Sequence, residues 1–186
     1  MRIPTILATL ATLVVAACAG NKQPMSGSMP MFSQTQLPAA VQVPAGNRVA
    51  METVGIGEVT YECRAKAGSA GQFEWVFVGP DAKLMDRSGK QIGRYYGPPA
   101  TWENMDGSKV TATQLAVAPG AAGNLPLQLV QANPAMGMGA MQGVSYIQRV
   151  ATVGGVAPLA LNCSAATLGQ KQSVKYQADY IFWRAA

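Results

Sequence analysis

The chain closes on SVKYQADYIFWR, residues 173–184, and the period of that stretch sets the fold class. Side chains two apart share one face of an extended strand. Val174, Tyr176, Ala178, Tyr180 and Phe182 therefore form one large apolar face, which a helix would scatter around its circumference. Alternation this strict, running almost to the last residue, predicts a C-terminus tied into a sheet.

The same period recurs upstream. In 144–153, Val144, Tyr146, Gln148 and Val150 oppose Ser145, Ile147, Arg149 and Ala151. In 109–117 neither face is polar, which predicts a strand covered on both sides. Residues 73–78, FEWVFV, are aromatic and β-branched, and read as a buried strand closing in a turn at Gly79-Pro80-Asp81. Residues 48–52 and 56–64 read as two further strands, and 83–86 with 91–96 as a hairpin around Arg87-Ser88-Gly89-Lys90. Residues 125–131 fit a strand or a short helix, and the Gly- and Met-rich 133–143 reads as an exposed loop. No sustained helical period follows the first residues of the chain. The expected fold is all-β, a sandwich or barrel of mostly antiparallel short strands.

The first seventeen residues differ from the rest. Arg2 precedes an apolar run, Ile6 to Val15, too short to span a bilayer and of the length of a secretory signal. The run ends in Val15-Ala16-Ala17-Cys18, which resembles a bacterial lipobox. Lipidation of Cys18 would anchor the protein to a membrane, and Ala19-Gly20 after the cysteine points to the periplasmic face of the outer membrane. Ordinary cleavage after Ala17-Cys18-Ala19 is the alternative, and it discards Cys18. Residues 18–40, rich in Pro, Ser, Gly and Gln without a period, read as a flexible linker. A single β domain is expected over 41–186. Either cleavage leaves Cys63 and Cys163 as a pair in an oxidising compartment, which predicts a disulfide. Such a bridge closes most of the domain into one loop, worth roughly 4.7 kcal/mol in the chain-entropy account. Two free buried thiols are the competing reading.

Composition excludes some functions. The sequence is 49% hydrophobic and 12% charged, with a formal charge of +5 and no histidine. Its basic residues are dispersed, unlike the clustered face of a nucleic-acid binder. Without an imidazole, enzymatic chemistry would fall to carboxylates, and no cofactor motif is present. Gly137 to Gly143 misses the dinucleotide glycine pattern by one position and opens no helix.

The stretch GRYYGPPATWENMDGSKV, residues 93–110, concentrates aromatic rings between turns. Tyr95, Tyr96 and Trp102 are candidates for stacking an envelope polymer or a protein partner. Asp106 sits in an Asp-Gly turn, where a carboxylate bonds its own backbone. Arg149, in mid-strand, is expected either to pair with Asp179 or Glu103 or to hold a ligand. A hydrolase built on Asp106 and a second acid, among Asp81, Glu103 and Asp179, is an alternative. A further alternative is copper handling by the thioethers of Met25, Met29, Met31, Met136, Met138 and Met141.

Several segments together resemble a known family, the bacterial and fungal domain of unknown function numbered 3455. They are Tyr61-Glu62-Cys63, Trp75 with Gly79-Pro80-Asp81-Ala82-Lys83-Leu84, Gly97-Pro98, Trp102-Glu103 and Asp106-Gly107-Ser108-Lys109-Val110. Ile147 to Thr152, Gly154-Gly155, Ala157-Pro158, Cys163 and Tyr176 to Tyr180 complete the set. The resemblance covers nearly the whole domain. Relatives commonly carry a histidine near the position of Tyr95, so a reaction depending on it would be absent here. The resemblance implies no activity of its own, and the reading favoured is a non-catalytic binding protein of the cell envelope.

Overall fold

A computed structural model describes residues 32–186. The expected signal peptide, Cys18, the first part of the expected linker and Met25, Met29 and Met31 lie outside the described residues.

Eight antiparallel strands follow one another around a closed barrel. They are β1 (Asn47–Ala65), β2 (Phe73–Met85), β3 (Gln91–Tyr96), β4 (Thr101–Asn104), β5 (Lys109–Ala118), β6 (Leu127–Ala132), β7 (Val144–Gly154) and β8 (Lys171–Ala185). The alternating C-terminal stretch is β8. It closes the ring by pairing with β1 from Asn47↔Ala185 to Glu62↔Lys171. Full closure leaves no strand edge open.

The inside of the barrel is filled by side chains. Tyr176, Ala178, Tyr180 and Phe182 of β8 point inward and meet Val59, Leu84, Tyr95, Trp102, Val110 and Ile147 in one buried cluster. Filling by side chains is what an eight-stranded barrel allows. The opposite face of β8 is polar from Ser173 to Asp179 and apolar only at Ile181 and Trp183. Ile181 and Trp183, with Ala118, Leu129 and Val150, form a second buried cluster outside the barrel, under the segment 32–43. That segment, whose first residues read as linker, is a strap with a 3-10 turn at Ala39–Val41. Phe32, Leu37, Val41 and Val43 pack onto the sheet. Gln148, fully buried on β7, pins it: its Nε2 donates to the Val41 carbonyl at 2.6 Å, and its Oε1 accepts from Trp183 Nε1 at 2.9 Å.

The strands are longer than the expected short ones, because β1 has 19 residues and β2 has 13. Glycines read as breaks lie inside them. Gly55 passes against the ring of Tyr180, where a Cβ would come within 2.6 Å of it, and Gly79 lies against the Gly97 carbonyl. These residues admit a neighbour rather than turn the chain. Asp81 is accordingly a strand residue on the outer face and not a turn.

A disulfide joins Cys63 to Cys163 across 100 residues, with Cα atoms 5.4 Å apart. It fastens the long β7–β8 connection, 155–170, to the end of β1.

The strand order divides the connections between two ends. Residues 66–72, 97–100, 119–126 and 155–170 gather at one end, and 86–90, 105–108 and 133–143 at the other. The second end is plugged. Its loop 133–143 was expected to be exposed, yet Met141 is wholly buried in the barrel core. Asp106 holds it there: one carboxylate oxygen accepts from the Ser108 amide and hydroxyl, and the other from the Ala140 amide. The Ser108 hydroxyl in turn accepts from the Met141 amide. Asp106 therefore does the turn chemistry expected of it, extended to a second loop.

Candidate functional site

The unplugged end opens into a cavity of about 310 Å3. Tyr61 of β1, Phe77 of β2 and Tyr95 of β3 make one wall. Gln114 of β5, Gln128 of β6 and Arg149 of β7 make the other, with Ala100 and Leu125 between. Each side chain points inward because of strand parity: Arg149 shares the face of Ile147, and Tyr61 that of Val59. In register, Arg149 lies between Gln128 and Tyr180.

The aromatic wall is fixed on both sides. Tyr61 packs edge-on to Phe77 with ring centres 5.9 Å apart, and its hydroxyl donates to the Gly155 carbonyl at 2.7 Å. Tyr95 stacks on Trp102 at 4.5 Å and leans on Tyr180 at 5.0 Å. Trp102 is buried behind it, and its indole Nε1 has no hydrogen-bond acceptor among the described residues. Deeper still, the hydroxyls of Tyr176 and Tyr180 lie 3.2 Å apart. On the polar wall, Gln128 Nε2 donates to Gln114 Oε1 at 2.6 Å, and Arg149 Nε donates to the Pro126 carbonyl at 3.1 Å.

The charge at this site is uncancelled. Burial pushes the phenols of Tyr61, Tyr95, Tyr176 and Tyr180 above their ordinary range, and the Arg149 guanidinium opposes that shift at each. All four are neutral hydroxyls at neutral pH. Among the described residues Arg149 forms no salt bridge, because its two expected partners are engaged elsewhere. Glu103 pairs with Arg94 at 3.0 Å and accepts from Tyr96 at 2.7 Å, and Asp179 pairs with Arg87 at 2.8 Å. The result is a cation in a pocket of rings and amides. Such a pocket suits an anion carried on a flat apolar body. It offers no activated nucleophile and no titrating acid–base pair.

Of the residues singled out in the sequence, the structure brings together Tyr95 and Arg149. Tyr96, the next residue along, faces outward by parity, under the Arg94 guanidinium at 4.5 Å. Trp102 backs the wall without reaching the surface, so the three rings of the 93–110 stretch form no common stacking surface. Asp106 lies at the plugged end. Hydrogen bonds from the Ser108 hydroxyl and the Ala140 and Ser108 amides hold its carboxyl below the usual range. The acids considered for hydrolysis are thus divided: Glu103 and Asp179 are in ion pairs, Asp81 is exposed, and Asp106 is tied to its loop. The methionines of 133–143 are divided too, with Met138 exposed and Met141 in the core.

Four wall residues escaped the sequence reading: Tyr61, Phe77, Gln114 and Gln128. A signal existed only for Tyr61, which shares its strand face with Cys63.

A family model described as a protein of unknown function, DUF3455, matches residues 44–184. The chain belongs to that family. The match reaches every strand of the barrel, stopping one residue short of the end of β8, and leaves out the strap. No curated protein and no solved structure matches the chain. The family description carries no activity, so any functional reading has to come from the cavity.

Proposed function

We propose that this member of the family is an exported, non-catalytic binding protein, anchored through lipidated Cys18 on the periplasmic side of the outer membrane. Its open barrel end takes a small organic anion with a flat apolar body. The supporting observation is Arg149: a guanidinium without a carboxylate partner, set among Tyr61, Phe77 and Tyr95. Arg149 is half-buried and lacks a counter-charge, which a ligand carboxylate, sulfonate or phosphate would supply. The cavity volume lies at the lower limit for small-molecule sites, which favours a compact ligand over an extended polymer. The outer face of β1–β4, with Glu58, Asp81, Lys83, Arg94 and Glu103, is left as the surface for any envelope partner.

The test is calorimetric titration with 1-naphthoate and with its neutral counterpart, naphthalenemethanol. A charge-assisted hydrogen bond is worth about 1.5–3 kcal/mol. The carboxylate should therefore bind roughly 10- to 100-fold more tightly than the alcohol, and Arg149→Met should erase that difference. Equal binding of the two probes, or a preference unaffected by Arg149→Met, would remove the basis of the proposal.

A further inference from the structure

The polar wall of the cavity holds more than its cation. Arg149 of β7 stands directly opposite Gln128 of β6 in register, which brings their Cβ atoms to about 4.5–5.5 Å of each other. Gln128 in turn reaches Gln114 of β5, its Nε2 donating to Gln114 Oε1 at 2.6 Å. A cation and two amides thus form one row across neighbouring strands, facing Tyr61, Phe77 and Tyr95 over the cavity. β5 also shifts register between Gln114 and Ala116, and bulges of that kind re-aim side chains beside binding sites.

What each group can still bind follows from the bonds it already makes. Arg149 Nε is engaged by the Pro126 carbonyl at 3.1 Å, so the two terminal nitrogens are the end of the fork that remains for a carboxylate. A glutamine amide carries one acceptor oxygen and two N–H donors. With one bond made between the two amides, Gln128 Oε1 is left to accept and Gln114 Nε2 to donate, and neither meets another partner among the described residues. Turning both amides over exchanges these roles and leaves the same set, one acceptor and one donor. A hydroxyl is the smallest group that answers both, giving its hydrogen to the amide oxygen and accepting from the amide N–H. On the facing wall the Tyr61 hydroxyl does not compete, because it is engaged by the Gly155 carbonyl at 2.7 Å.

We infer that the cavity selects an aryl acid with a hydroxyl on the carbon beside its carboxylate, and that Gln114 and Gln128 read that hydroxyl. The inference rests on the reading of Arg149, proposed above, as the counter-charge of a bound acid. Side chains that neighbour each other across β6 and β7 call for neighbouring groups on the ligand, which places the hydroxyl next to the acid and not at the far end of the ring. The ring on the aromatic wall, the carboxylate on Arg149 and the hydroxyl on the amide pair are three separate points of attachment. Together they fix the handedness of the carbon that joins them, so one enantiomer alone meets all three.

The test is calorimetric titration of the protein with the two enantiomers of 1-naphthylglycolate, with 1-naphthylacetate, which lacks the hydroxyl, and with 1-naphthylethanol, which lacks the charge. One enantiomer should bind about tenfold more tightly than naphthylacetate, the gain expected of one or two neutral hydrogen bonds, and the other no more tightly. The methyl ether of the favoured enantiomer cannot donate and should fall back toward naphthylacetate, which reads the same bonds without any substitution in the protein. Gln114→Leu/Gln128→Leu should erase the gain and the enantiomer preference together. Equal binding of the two enantiomers, or of the better one and naphthylacetate, overturns the inference. So does a hydroxyl gain that the double leucine variant leaves in place. Naphthylacetate against naphthylethanol judges the Arg149 reading separately: a preference for the acid with no gain from the hydroxyl keeps that site and removes only the selectivity inferred for it.

Discussion

Replacing Gln148 by leucine tests how the strap is held. The side chain is fully buried between barrel and strap, and its amide serves three groups. Nε2 donates to the Val41 carbonyl at 2.6 Å and to Gln34 Oε1 at 3.1 Å, and Oε1 accepts from Trp183 Nε1 at 2.9 Å. Leucine has nearly the same volume, so no large cavity term enters. Gln34 Oε1 keeps a donor, the Val43 amide at 2.7 Å. The Val41 carbonyl and the Trp183 indole lose these partners in a dry interface, each at a cost of about 1–3 kcal/mol. Gln148→Leu should therefore destabilise the protein by about 3 kcal/mol, read as a lower urea midpoint at unchanged slope. The Trp183 emission should change with it, since Phe32 meets that ring edge-on at 6.3 Å. A loss below about 1 kcal/mol would mean that the strap is held by its apolar contacts alone and that the three hydrogen bonds are incidental.

Two further outcomes are expected. Cys63→Ala/Cys163→Ala removes a bridge spanning 100 residues and should cost up to about 4–5 kcal/mol by urea unfolding. An unchanged midpoint would show the barrel indifferent to the tether of its longest connection. The phenols of Tyr95, Tyr176 and Tyr180 are raised in the fold chiefly by burial. A group raised above its unfolded value stabilises the fold below the unfolded pKa, about 10 for tyrosine, and that contribution fades as pH rises through the folded value. Alkaline titration should therefore show these phenolates appearing together with loss of the fold. Their free titration near pH ~10 with the sheet intact would contradict the packing described.

Much of the fold was legible because the barrel interior imposes a period of two on a single chain. The β8 residues Tyr176 to Phe182 and the β7 residues Ile147 and Arg149 carry that period unaided, and Cys63 with Cys163 needed only a compartment. What escaped depends on partners distant in sequence. Gly55 and Gly79 look like breaks until Tyr180 and Gly97 are seen against them, and the strap has no period because one irregular segment meets one flat face. Met141 reads as loop because its burial rests on Asp106 and Ser108, some thirty residues earlier. The site was half visible for the same reason. Arg149 and Tyr95 stood out as odd residues in good strands, whereas Gln114 and Gln128 are ordinary polar residues until the ring brings them opposite two tyrosines. Tyr96 and Trp102 were grouped by sequence proximity, which strand parity undid.

The pairing of β1 with β8 also constrains the order of events in making the protein. Its partners are separated by more than a hundred residues, and they form the longest ladder in the molecule. Such contacts come last and slowly in folding, because a large closure entropy precedes any reward. A chain delivered N-terminus first has nothing to close upon until the fifteen residues of β8 arrive. Until then β1 offers an unpaired edge, nineteen residues long, that a stalled or truncated copy would keep. Loss of even the last few residues of β8 should therefore be felt as a failure to mature, out of proportion to the contacts removed.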